Sequence, residues 1–413
     1  MPRSRRCVSQ MAIALLVMTG GAAVGCSSSH PPPTDEVDDL ADALRREAGA
    51  EMVGGNALDL INNGEIFDAM EHDIRDARVS VNIVIYIWRG EDGPSRRIGE
   101  ALLNRRAGVA CRLLVDAFGS LKFSGALRER LTASGCDVRR YGLRGDVRLM
   151  ARNHRKIQVI DGKIGVTGGW GVWRVWEGDG LSRDAWRDTA VRVSGPAVAQ
   201  MQRAFEQSWV EAGGAPLPAI EYPKLSRPGP TRATFVASSP RRDQKSEAEI
   251  MTELVIGSAH RQLWIASSYF VPNESLGDLL IRKRRQGVDV RVLAAGPVHD
   301  VPPVRAAQRA TYERLLEAGV RIFEYKPSMM HSKTMVVDGR TVVIGSTNFD
   351  QLSFDRLEEG SMVAFAPILA RKLLREFDAD FGRSLEITRE LWADRDLVPD
   401  LARRASALFA DWL

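Results

Sequence analysis

His154-Arg155-Lys156-Ile157-Gln158-Val159-Ile160-Asp161-Gly162 returns as His331-Ser332-Lys333-Thr334-Met335-Val336-Val337-Asp338-Gly339, every matched position displaced by 177 residues (154 to 331, 161 to 338). Between each lysine and aspartate lie β-branched and apolar residues, which reads as a buried strand. Residues two apart on a strand share a face, so each histidine projects beside its lysine. Asp-Gly is a favoured two-residue hairpin turn. With that turn, the returning strand sets Gly169 opposite His154, Gly168 opposite Arg155, and Ser346 opposite His331 with Asn348 just beyond. The chain has only six histidines, so two copies of one His-x-Lys-x4-Asp spacing in register are not coincidence.

The residue types point to an anion. A lysine ammonium has donors and no lone pair, so it repels a metal instead of ligating it. No metal and no cofactor are therefore expected. Lys156, Lys333, Asn348 and the Ser346 hydroxyl can hold phosphate oxygens, and Gly168 and Gly169 let backbone come close to a ligand. Two imidazoles supply a nucleophile and a proton donor. Asp161 and Asp338 complete the catalytic motif at strand ends, where an orienting role suits them better than proton transfer.

Outward from the motif, the chain is two copies of one unit. Helices over 56–78, 96–107 and 125–134 alternate with strands over 80–88, 110–116 and 137–141. The second half repeats the order, with helices over 246–258, 276–286 and 304–318 and strands over 262–270, 289–295 and 321–325. This predicts an α/β fold of two duplicated α/β/α lobes, each a mixed sheet flanked by helices, with the active site at their interface. The expected boundaries are a signal over 1–26, a tether and the start of the fold over 27–52, lobe 1 over 53–220 and lobe 2 over 221–413. A Pro/Gly-rich linker over 214–232 separates the lobes.

The chain of 413 residues is 44% hydrophobic and 27% charged, with 57 basic against 53 acidic residues and a net charge of +4. That balance excludes a mainly disordered chain and gives no global reason for nucleic-acid binding. Arg3, Arg5 and Arg6 precede an apolar stretch from Met11 to Val24, shorter than the roughly 20 residues of a bilayer span. Ala23-Val24-Gly25-Cys26 and a serine run follow. The pattern is that of a lipoprotein signal in which Cys26 is acylated, so the body is expected to be exported and membrane-anchored. Cys111 and Cys136 are open to two readings, a disulfide or two buried thiols. Trp170, Trp173 and Trp176 follow the first motif and fit either core packing or an apolar groove beside the site.

With the motif go Tyr86-Ile87-Trp88, Trp186-Arg187-Asp188-Thr189, Tyr269-Phe270-Val271-Pro272, Met330, Asn348-Phe349-Asp350, Ser353 and Glu359. From about Val53 onward the chain resembles the phospholipase D superfamily, most of all its bacterial cardiolipin-synthase-like branch. The resemblance implies attack of one histidine, His154, on a phosphodiester, a phosphohistidine intermediate, and His331 as acid and base. It implies a glycerophospholipid such as phosphatidylglycerol as substrate, an alcohol or water as acceptor, and one chain sufficient for one site. The chain departs from the family at Gly171, where an asparagine is common, at Ala190 and Leu357, and at Val84, where an acidic partner for a histidine is lost. A phosphodiesterase or nuclease of the same superfamily, or an inactive anion- or lipid-binding lipoprotein, are the alternative readings.

Overall fold

The computed structural model describes residues 34–142, 152–241 and 244–393; the signal and Cys26 lie outside them. In the first half, the strands are β1 (Val53–Asn62), β2 (Ser80–Ile85), β3 (Ala110–Asp116), β4 (Cys136–Tyr141), β5 (Arg152–Asn153), β6 (Ile157–Ile160), β7 (Ile164–Gly168) and β8 (Thr189–Ser194). In the second they are β9 (Thr231–Ser238), β10 (Gln262–Ser267), β11 (Asp289–Ala295), β12 (Arg321–Tyr325), β13 (Thr334–Val337), β14 (Thr341–Gly345), β15 (Leu357–Phe365) and β16 (Ser384–Ile387).

Hydrogen bonding runs β16-β12-β11-β10-β13-β14-β15-β9-β1-β8-β7-β6-β2-β3-β4, with β5 on β15. The order is nearly palindromic about the β9–β1 pair, so the two halves join edge to edge with a shared pseudo-twofold. In each half three strands are parallel (β2-β3-β4 and β10-β11-β12) and the motif hairpin adds antiparallel strands. Parallel strands buried on both faces need apolar runs, which β2 supplies over residues 83–85 and β11 over residues 292–295. Helix Val198–Glu211 reaches from lobe 1 onto β9, and helix Pro367–Gly382 from lobe 2 onto β1. One hydrophobic core accordingly runs from Ile61 to Phe377 through both halves.

Four sequence expectations are corrected. Residues 56–62, expected in a helix over 56–78, belong to β1, because pairing with β8 and β9 outweighs local propensity, and the helix starts only at Glu65. Residues 34–39, expected in the tether, open helix Thr34–Glu47, whose Leu40 and Leu44, with Ala48 just past its end, are buried against helix Glu247–Gly257. The region 304–318 is two helices, Pro302–Ala310 and Tyr312–Glu317.

The motif hairpins are the fourth. Ile160 pairs Ile164 and Val337 pairs Thr341, so three residues, Asp161-Gly162-Lys163 and Asp338-Gly339-Arg340, form each loop and the register moves by one. Asp161 and Asp338 take left-handed backbone (φ 55° and 51°), which a short polar side chain tolerates, and the added residue closes the turn onto Ile160 or Val337.

Cys111 and Cys136 face each other on β3 and β4 and form a disulfide.

Candidate active site

Both motif strands begin by zipping onto the opposite lobe. In lobe 1, β5 pairs with β15 of lobe 2, and the His154 N–H donates to the Glu358 carbonyl at 2.9 Å. In lobe 2, Met330 bridges Arg187 of lobe 1, and the His331 N–H donates to the Arg187 carbonyl at 2.7 Å. The next residue along each borrowed segment is a carboxylate. Glu359 meets His154 Nδ1 at 2.9 Å, and Asp188 meets His331 Nδ1 at 2.9 Å. The two pairs are equivalent under the pseudo-twofold, and each joins an imidazole to an acid of the other lobe.

Each carboxylate is fixed by further donors. Ser346 Oγ donates to Glu359, while Asp188 accepts from Trp176 Nε1 at 2.8 Å and from the Thr189 N–H at 2.7 Å. A carboxylate at Nδ1 favours the tautomer that leaves the Nε2 lone pair free. His154 is edged by the Tyr86 ring at 4.8 Å; His331 stacks on Trp186 at 5.2 Å and is edged by Trp176 at 5.1 Å. His154, Lys156, Gly169, His331 and Asn348 all line one cavity of about 400 Å³, together with Trp170, Gly171, Trp176, Tyr86, Tyr269 and Asp350.

The lysines differ between lobes. Lys156 Nζ donates to the His154 carbonyl at 2.6 Å and lies 5.4 Å from the Tyr86 ring centre. Lys333 Nζ donates to the Ser268 hydroxyl and the His331 carbonyl, both at 2.6 Å, and lies 2.9 Å from His331 Nδ1. Burial disfavours the charged forms: Lys156 is pushed well below the ordinary lysine value and Lys333 to about 8. Burial, with the lysine charges, pushes both histidines down to about 4. Burial alone would raise the Glu359 carboxyl, yet the His154 contact, Lys156 beside it and the Ser346 hydroxyl hold it below the usual carboxylate value. Asp350 is raised to about 7 by burial. Both imidazoles are therefore neutral near pH 7.

The other expected residues have different surroundings. Asp161 and Asp338 are at the far ends of β6 and β13, outside the cavity wall. The Asp161 carboxylate accepts from the N–H groups of Arg78, Val79 and Ser80, and Asp338 from those of His260, Arg261 and Gln262. Each thus clamps the entry of the first parallel strand in its lobe. Gly168 and Gly169 serve close packing: a Cβ on Gly168 would stand 2.6 Å from the Thr189 carbonyl, and one on Gly169 2.6 Å from the His331 carbonyl. Ser346 is turned to Glu359, away from the cavity. The Asn348 amide lines the cavity, and its Oδ1 is buried without a hydrogen bond. Val84 leaves no imidazole without an acid, because Asp188 and Glu359 fill that role. The strand registers make the two acids equivalent, since both stand two residues before the strand residue that pairs with the motif glycine (Ala190 with Gly168, Ser361 with Gly345).

The sequence profile described as cardiolipin synthase, PLD-like domain, matches residues 70–209 and 254–381. The chain belongs to this family of phospholipase D-like phosphatidyltransferases. Among its members, cardiolipin synthase A of Pseudomonas aeruginosa is 34% identical over 355 residues, covering 84% of this chain and 71% of that protein. Cardiolipin synthase of Geobacillus kaustophilus is 34% identical over 367 residues, covering 86% and 72%. The family's fold extends to a solved phosphatidylserine synthase of Haemophilus influenzae, with a TM-score of 0.65 at 13% identity, covering 90% of this chain and 97% of that one.

Proposed function

We propose that this family member transfers a phosphatidyl group from a glycerophospholipid, phosphatidylglycerol or a close relative, to an alcohol or water. The observation that carries the reading is the pair of crossed imidazole–carboxylate contacts opening on one cavity. His154 Nε2 attacks phosphorus while His331 gives its proton to the departing alkoxide, leaving a phosphohistidine and a free alcohol. His331 then takes the proton of the incoming hydroxyl, whose oxygen displaces His154. Lys156, Lys333 and Asn348 neutralise the phosphoryl oxygens, a task that needs no metal. A bound phosphodiester brings negative charge beside both rings and raises their proton affinity, so that His331 is protonated when the cycle starts. Both histidines come from one polypeptide, which makes a monomer sufficient for one site.

The location proposed is outside the cytoplasm, with Cys26 as the lipid anchor. The Cys111–Cys136 disulfide supports it, since such bridges persist in oxidising compartments.

The test is incubation of the purified protein with headgroup-labelled and acyl-labelled phosphatidylglycerol, with and without ethanol. Cardiolipin, phosphatidic acid or phosphatidylethanol would each support phosphoryl transfer and identify the acceptor. Cleavage of DNA without lipid turnover would replace this reading with that of a nuclease.

A further inference from the structure

The cavity is of a size that holds a phosphodiester and the glycerol arms beside it, and two acyl chains do not fit in it as well. A lipid reacting there keeps its chains outside, so the residues around the mouth determine what the chains rest in. Phe118 and Val301 line the cavity and remain 57% and 37% exposed. Leu121, one tight turn beyond Phe118, is 67% exposed. Single exposed apolar residues are commonplace, but Phe118 and Val301 line one opening, Leu121 shares the turn of Phe118, and they come from the loops after β3 and β11, one from each lobe.

Two arginines stand among them. Arg152 lies 5.0 Å from the Phe118 ring centre and Arg89 lies 4.8 Å from that of Trp173. Both line the cavity, and neither makes an ion pair among the described residues. Asp116, the acid whose charge bears on Arg152, spends its carboxylate on the backbone N–H groups of Phe118, Gly119 and Asn153. Guanidinium groups laid on aromatic faces beside exposed aliphatic side chains combine an apolar body with a cationic tip. That combination suits the boundary between hydrocarbon and anionic headgroups.

We propose that this rim is a docking face for an anionic phospholipid bilayer, with Phe118, Leu121 and Val301 entering the interface and Arg89 and Arg152 meeting lipid phosphates. The proposal rests on the lipid substrate inferred above and is separable from it. The full-length chain, purified without acylation, is sedimented with vesicles of phosphatidylcholine alone or mixed equally with phosphatidylglycerol. Turnover is measured in parallel on those vesicles and on short-chain phosphatidylglycerol kept monomeric. F118S/L121S is expected to weaken sedimentation by about tenfold on both vesicle types, and R89Q/R152Q only on the anionic one. In F118S/L121S the ratio of vesicle to monomer turnover falls by the same factor. Unchanged sedimentation of F118S/L121S overturns the docking face. Loss of monomer turnover in R89Q/R152Q with vesicle binding intact would assign the arginines to a phosphate inside the cavity and overturn their part in docking. Should the parent bind vesicles through this rim yet turn over no lipid, the docking face stands and the transferase reading falls.

Discussion

Replacing Glu359 by glutamine tests the crossed geometry most directly. Glu359 is fully buried, with one oxygen 2.9 Å from His154 Nδ1 and the other bonded to Ser346. The substitution keeps the volume and removes the charge. A charge-assisted hydrogen bond contributes about 2–3 kcal/mol, which sets the expected loss in kcat at about 30- to 150-fold. An amide that donates to Nδ1 would also turn the imidazole to the wrong tautomer, and in a comparable Ser-His-Asp site that error costs about 10⁴-fold. The sign of the pH effect follows from the same contact. The Glu359 charge raises the proton affinity of His154, so Glu359→Gln lowers it and moves the acidic limb of the kcat profile to lower pH. Asp188→Asn does the same to His331, the group that must be protonated, and so moves the alkaline limb to lower pH. The assay is headgroup release from monomeric short-chain phosphatidylglycerol through the range of imidazole titration. Rates within about threefold of the parent, or both variants displacing the same limb, would refute the assignment of the two rings to different roles.

Stability should fall with acid in a defined window. Burial lowers His154, His299 and His331 to about 4 from the ordinary 6.5, so the unfolded chain binds more protons between those values. Unfolding free energy should therefore drop as pH falls from about 6.5 to about 4, by about 3 kcal/mol per ring at most; the readout is the melting temperature, and a flat profile there would contradict this. Asp161→Asn and Asp338→Asn each loosen three backbone contacts and should cost about 2 kcal/mol in thermal denaturation, with kcat changed far less than in Glu359→Gln; the reverse ranking would return the aspartates to the chemistry. Cys111→Ser with Cys136→Ser opens a cross-link between residues 25 apart and should lower stability by about 3 kcal/mol in urea titration, leaving the cavity and turnover intact.

The sequence carries much of this because the chemistry is written in short-range spacing. His-x-Lys on one strand face, Asp-Gly at its end and the repeat between halves are local patterns, and the histidines do meet across one cavity. What it hides is long-range. Residues 53–62 become β1 only because β8 and β9, distant in the chain, offer their edges. The one-residue shift in the hairpins comes from Lys163 and Arg340 joining the turns while the aspartates reach to another strand. Asp188 and Glu359 look like ordinary members of their segments until the β7–β8 and β14–β15 registers reveal their matching positions. Ser346, which reads as a ligand for phosphate, is claimed by Glu359 instead.

The join between β1 and β9 has a consequence for how such a protein can be divided. Severed there, each half would be left with a bare strand edge and a ring deprived of its acid, and both defects are cured by a twin of itself. A fused chain supplies that twin permanently. The halves are then free to diverge, as the Tyr86 face beside Lys156 and the Ser268 hydroxyl beside Lys333 already have, but neither can drift without detuning the other's imidazole.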